Sequence, residues 1–456
     1  MSAYTALPIR HPNTQSRTVM TRRAWWLVAM NFLIPGSAQV LAGNRRLGRI
    51  GLIATLTMWV LVVAALLLYL ATPQTIYNLA TNSYALLLAQ IVLVAYAFLW
   101  IVLTINTLSL VKLIRARPSS RAWIALATVA LLVVSVGGAG AGAYYAGITR
   151  GTLQSIFGGG AASVPPVDGH YNILLLGGDA GPDREGLRPD SMSVVSVDAE
   201  TGAATMIGLP RDLHNMPFSD GSPMKKLYPN GYGYNGRCDV SACMLNSVYT
   251  EAEVRHPDLY PDAIKNGSRP GIEATKEAIE GTLDLEIQYY VLIDMQGFSD
   301  LIDALGGVDI TVPKRVPVGG DENLVGVAEW IEVGEHHMNG YYALWYARSR
   351  HGSSDYERME RQRQLQAAIL KQFTPANVLS KFQVIAQAGS QVVKTDIPQD
   401  MLGYFVELAL KTKELPITNI ELTPASGIQP EEPDFDKIRS MVDAALHPAS
   451  PAPSGG

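Results

Sequence analysis

Charge and cysteine are both scarce in this chain. Of its 456 residues only 17% are charged and 48% are hydrophobic, and the apolar excess is confined to the first third. That is too apolar for a chain soluble along its whole length. The two cysteines, Cys238 and Cys243, have no clustered histidine pair beside them, which argues against a zinc site. In an oxidising compartment a disulfide closing their short loop is plausible. His336 and His337 are adjacent, so they point apart in either regular structure and read as surface or turn residues. No internal repeat is visible. Nor is a signal-peptide cleavage site, because the apolar segments are too long and too many. The net charge of −5 says nothing by itself about partners, since the basic residues are clustered. Nothing in the pattern calls for nucleic acid.

What is present begins with long uncharged runs at 50–70, 84–110 and 122–146. Each exceeds the roughly 20 residues that a helix needs to cross the hydrocarbon core. Three in succession read as three transmembrane helices. Residues 24–42 are also apolar but contain Pro35-Gly36, which breaks a helix. Basic residues flank them on both sides: Arg22 and Arg23 before, then Arg45, Arg46 and Arg49. That suggests a re-entrant segment, with a fourth span as the competing reading. Residues 1–49 and the 111–121 loop are basic, while the 71–83 loop carries no charge. Positive loops stay inside, so residues 1–23 form a cytoplasmic tail and the chain beyond the membrane region (24–149) lies outside.

Residues 150–168 are Gly-, Ala-, Ser- and Pro-rich and read as a linker. A globular domain follows at 169–446, and 447–456 reads as a disordered tail. Strands are expected at 171–176 (YNILLL), 192–197, 203–209, 289–293, 308–312 and 417–422. Helices are expected at 272–283, 296–305, 340–347, 356–373, 377–388 and 401–411. The fold class is therefore N-terminal transmembrane helices followed by an extracytoplasmic α/β (α-β-α layered) domain with a mixed central sheet.

Residues 346–364 (YARSRHGSSDYERMERQRQ) hold five arginines. Arginine stays charged and presents a planar fork that fits phosphate oxygens two at a time. In an extended segment Arg348 and Arg350 point the same way. Arg358, Arg361 and Gln362 share a helix face. The bland alternative is a solvated helix laced with Glu357 and Glu360 ion pairs. Three earlier stretches meet strand edges: Gly177-Gly178-Asp179-Ala180, Arg188-Pro189-Asp190-Ser191 and Leu209-Pro210-Arg211-Asp212. Glycines after a strand let backbone amides approach an anion, at the edge where α/β proteins place ligands. Asp179 and Asp190, brought together, suit a magnesium ion that also takes phosphate oxygens. Each motif alone is weak: Asp190 as a turn cap and Asp212 paired with Arg211 are the bland readings.

The runs NILLLGGDAG, RPDSMSVVSVDAETG, LPRD and YYVLIDMQGFSDLIDALGGVDITVP, and above all NGYYALWYARSRHGSSDYERMERQRQ, resemble the LytR–CpsA–Psr family of Gram-positive envelope proteins. The match covers about residues 170–375, in order. The resemblance implies a magnesium- (or manganese-) dependent phosphotransferase of the cell membrane. Such an enzyme moves a glycopolymer from an undecaprenyl-pyrophosphate carrier to peptidoglycan through a phosphodiester, releasing undecaprenyl phosphate. Carried over, Asp179 and Asp190 would hold the metal. Arg188, Arg211, Arg348 and Arg350 would grip the pyrophosphate, with Asp355, Arg358 and Gln362 nearby and Arg361 on the same face. Asp179 or Asp355 would assist deprotonation of the acceptor hydroxyl, and the apolar helices would line a polyprenyl tunnel. A polyprenyl-pyrophosphate phosphatase and a non-catalytic regulator that binds the lipid carrier are the rival expectations. Departures from the family pattern are Met244 where a lysine is common, and serine rather than an aromatic between Arg348 and Arg350. Residues 228–243 look like an insertion.

Overall fold

The computed structural model describes residues 9–157, 163–179, 187–321, 323–372 and 393–448, with Asp179 described by its backbone alone. Two compact units divide the chain, Met1–Gly151 and Thr152–Gly456.

In the first unit, α1 (Arg17–Leu33) and α2 (Ser37–Ala42) are separated by a break at Pro35-Gly36. Gly36 takes φ +98°, open to glycine but strained for other residues. A side chain there would collide with the backbone of Gly48 and Gly51 in α3 (Arg45–Ala71), so the break packs backbone to backbone. A short helix, α4 (Pro73–Thr81), precedes α5 (Ser83–Val111), and α6 (Pro118–Phe157) follows. Among the described residues three helices, α3, α5 and α6, are long and apolar enough to cross a membrane. Polar side chains of the broken pair are satisfied on α5: Gln39 donates to Leu103 O (2.7 Å) and Thr107 Oγ1 (2.9 Å), and Asn31 donates to Thr104 Oγ1 (3.0 Å). Helix α6 continues to Phe157, into the stretch expected to be linker. Phe157 packs in the cluster around Tyr171 and Tyr289, so apolar burial extends the helix past its glycines.

The second unit is built on a six-stranded mixed sheet in the order β10-β3-β2-β1-β4-β9. Its strands are β1 (His170–Asp179), β2 (Arg188–Asp198), β3 (Ala204–Leu209), β4 (Tyr289–Asp294), β9 (Val393–Thr395) and β10 (Thr418–Glu421). Central β1 pairs antiparallel with β2 and parallel with β4. Two small antiparallel ribbons stand apart: β5 (Val308–Val312) with β8 (Gly334–Met338), and β6 (Val316–Gly319) with β7 (Val327–Ile331). The helices are α7 (Pro223–Leu227), α8 (Leu245–Thr250), α9 (Pro270–Leu283), α10 (Met295–Leu305), α11 (Gly340–Arg348), α12 (Asp355–Gln372), α13 (Leu402–Thr412) and α14 (Phe435–Leu446).

Strand alternation divides the core. Leu174, Leu176, Tyr290 and Leu292 face one large cluster with Ile272, Ile279 and Ile438. Leu175, Val291 and Ile293, on the other face, line a cavity beneath α10, α11 and α12. The α/β domain with its mixed sheet agrees with the expectation from sequence. Strands β6, β7, β8 and β9 and helices α7, α8 and α14 are not among the elements expected from sequence: the strands are short, and β6 is interrupted by Pro317 and ends on Gly319. His336 and His337 lie in β8, on opposite faces. The helix expected at 377–388 falls outside the described residues.

Candidate anion site at the head of an apolar cavity

Between Gly177 and Gly178 the β1–β2 register shifts by one: Gly177 pairs with Ser191 and Gly178 with Pro189. Asp190 is the extra residue of a β-bulge. A bulge breaks the in-out alternation, and Asp190 and Ser191 both line the cavity although they are neighbours in a strand. The backbone of Asp179 lies opposite Arg188, two positions from Asp190. Its side chain lies outside the described residues.

Two helices supply the cations. Helix α11 is capped by Asn339, whose Oδ1 accepts from Tyr342 N at 3.0 Å. It ends at Arg348, so Arg348 is helical and Arg350 lies beyond the helix. The pair therefore does not form the extended segment expected of it: the apolar GYYALWYA run keeps the helix going until its packing face is spent. Helix α12 opens on a capping box. Ser354 Oγ accepts from Glu357 N, and Glu357 Oε2 accepts from Ser354 N.

The side chains converge. Arg211 donates to Asp190 Oδ1 at 2.9 Å and to Asp355 Oδ2 at 3.1 Å. Arg350 lies 3.5 Å from Asp190 and 3.6 Å from Asp355. Arg358 lies 3.9 Å from Asp355 and is 2% exposed. Its Nε is buried and has no hydrogen-bond partner among the described residues. Among the described side chains, three guanidinium groups around two carboxylates leave a net positive charge, and exposed Arg348, above the Trp345 ring at 5.2 Å, adds another at the cavity wall. Burial pulls the Arg358 guanidinium down to about 10 despite Asp355. Burial also opposes ionisation of Asp355, but the pull of Arg358, Arg211 and Arg350 outweighs it and holds that carboxyl below the ordinary range. At Arg211 burial works against the charge, and Asp355 and Asp190 more than offset it, so its pKa is raised.

The cavity has a volume of about 1050 Å³. Asp190, Arg348, Arg350, Arg358 and Gln362 contribute to its wall, and most of the remainder is apolar, including Val291, Phe298, Leu344, Leu365 and Ile369. Gln362 donates to Ala347 O at 3.1 Å. Arg361 and Arg188 are not in the cavity wall. Arg361 is spent on the loop itself, donating to Tyr346 O, Ser349 O and Ser353 Oγ, and it does not line the cavity. It holds the loop between the two helices rather than facing a ligand. Arg188 donates to Ser241 Oγ at 3.1 Å. His351, Asp294 and Gln366 line the cavity and were not singled out from sequence. Only His351, beside Arg350, carries a local signal.

The domain sets clustered guanidinium groups and carboxylates at the head of a mostly apolar cavity, an arrangement with room for an amphiphile that carries an anionic head. Residues 152–440 match the LytR_cpsA_psr family, and the chain belongs to it. Among curated relatives, biofilm regulatory protein A of Streptococcus mutans is 29% identical over 233 residues, half of each chain. The polyisoprenyl-teichoic acid–peptidoglycan teichoic acid transferase TagV of Bacillus subtilis is 25% identical, covering 60% of this chain and 64% of its own. The cell wall biosynthesis protein LcpA of Corynebacterium glutamicum is 25% identical, covering 74% and 68%. The matched regions thus span half and just under two thirds of the first two relatives. The crystal structure of B. subtilis TagV is similar over 61% of this chain and 98% of that one, with 24% identity and a TM-score of 0.44.

Proposed function

We propose that the second unit is a cell-envelope phosphotransferase. It takes a glycopolymer phosphate from a polyprenyl-pyrophosphate carrier, undecaprenyl in the resemblance, and joins it to peptidoglycan through a phosphodiester. Polyprenyl phosphate leaves. The observation that carries this reading is Arg358: a buried guanidinium whose Nε has no partner among the described residues, lining a cavity otherwise mostly apolar. Unpaired buried donors are costly, and a pyrophosphate offers the acceptors this one lacks. The apolar wall suits an isoprenoid chain, and the transferases named among the relatives act on polyisoprenyl-linked polymers.

Arg211, Arg350 and Arg358 would neutralise charge on the phosphoryl group as it transfers. Asp355 orients them, and its depressed pKa makes it a poor proton acceptor. Asp190, with hard oxygen donors in the cavity wall, suits magnesium or manganese, and Asp179, whose backbone pairs with Arg188, would be the second ligand. Bound there, the metal would add positive charge at the phosphate oxygens. With the three apolar helices as the anchor, the domain acts outside the cell membrane.

The test uses the full chain in lipid nanodiscs, with magnesium, a polyprenyl-pyrophosphate disaccharide and a peptidoglycan fragment. Formation of sugar–phosphate–sugar product is expected, and Arg350→Ala is expected to lower its rate about 10²- to 10³-fold. Release of free sugar phosphate with no coupled product would favour a phosphatase. Unchanged turnover in Arg350→Ala would overturn the site assignment.

A further inference from the structure

The Cys238–Cys243 disulfide closes a loop that is held on two sides. On one side, Asp239 N donates to both carboxylate oxygens of Glu251, at 3.1 and 3.0 Å. Glu251 is fully buried and also accepts from Tyr228 Oη (2.5 Å) and Tyr232 Oη (3.2 Å). A buried carboxylate with several donors is a stiff anchor. On the other side, the hydroxyl of Ser241, inside the closed loop, accepts from Arg188 Nη2 at 3.1 Å. Arg188 sits in β2 opposite Asp179 and two residues from Asp190.

We propose that this loop is a positioning device for the phosphate site: the disulfide and Glu251 fix Ser241, and Ser241 fixes the Arg188 guanidinium at the edge of that site. The inference rests on the transferase reading. A long, flexible cation needs a second contact to be held in one geometry. The serine supplies it only while the loop is closed. Site affinity therefore depends on the oxidised state of a pair of cysteines that touch no substrate.

The experiment is calorimetric titration of inorganic pyrophosphate, with magnesium, into the full chain in nanodiscs. The chains compared are the oxidised and dithiothreitol-reduced protein, Ser241→Ala, Ser241→Thr, Arg188→Ala and the Arg188→Ala/Ser241→Ala double variant. Reduction and Ser241→Ala are each expected to weaken binding roughly three- to tenfold, the scale of one lost ordinary hydrogen bond, since this one is exposed to solvent. Ser241→Thr is expected to restore it. In the Arg188→Ala background, already weakened, Ser241→Ala is expected to add nothing. Parent-like affinity in Ser241→Ala, or the same loss from Ser241→Ala with and without Arg188, overturns the proposal. If the oxidised parent, folded by circular dichroism, binds no pyrophosphate, the anion-site reading itself falls and the inference with it.

Discussion

Residues of one type, close in sequence, do three different jobs here. Arg350 and Arg358 face a shared pair of carboxylates. Arg361 ties down backbone carbonyls, and Arg363 pairs with Glu421 at the far side of α12. Helical spacing groups Arg358 with Arg361 and Gln362, and the sequence reading treated them alike. What separates them is the position of α11 against α12, which no local pattern encodes. Asp355 is the acid that holds the guanidinium groups apart, and its pKa is depressed. A carboxyl held low by the fold contributes stability above its unfolded value of about 3.9, and loses it as pH falls through the lower folded value. Asp355→Asn is therefore expected to cost roughly 1–3 kcal/mol at neutral pH. The melting-temperature gap between variant and parent should close as pH drops below about 4. A gap that does not change with pH would show that Asp355 acts by shape rather than charge.

At the level of elements, the strands and helices with clear period were legible: YNILLL as β1, the 289–293 strand, and α9 through α12. Two kinds of feature were not. The β6–β8 ribbons carry too few apolar residues in a row for their period to show. The bulge at Asp190 depends on which residue of β1 faces it. The α10–α11 contact shows how closely the arginine-bearing helices are set. Gly340 N donates to Asp303 Oδ1 at 2.8 Å, and a Cβ on Gly340 would collide with the backbone of Ser299. Gly340→Ala is expected to destabilise the unit by about 1–3 kcal/mol, read by denaturant midpoint. It should also weaken pyrophosphate binding, because α11 cannot shift without carrying Arg348 and Arg350.

Taken whole, the molecule pairs an apolar helical unit with a domain whose cavity is itself apolar. Sequence alone could not tell a lipid cavity from a core, since both are lined by Leu, Ile, Val and Phe. Only the enclosed volume separates them. Ile369 lies in that wall on α12, two turns or more beyond the arginines. Ile369→Trp is expected to leave pyrophosphate affinity within about twofold of the parent, and to lower affinity for long-chain polyprenyl pyrophosphate tenfold or more. An equal effect on both ligands would mean that head and tail do not occupy one continuous space.

The single extra residue in β2 has a consequence for how such chains can vary in length. Removing Pro189 would let the two strands close into regular pairing, at little cost to the sheet. Arg188 would stay opposite Asp179, while Asp190 would take the position of Pro189 opposite Gly178. The acid would turn to the opposite face of the sheet, away from the cavity that it now lines. Along this edge the strand tolerates the loss of a residue and the site does not, so its length matters as much as its composition.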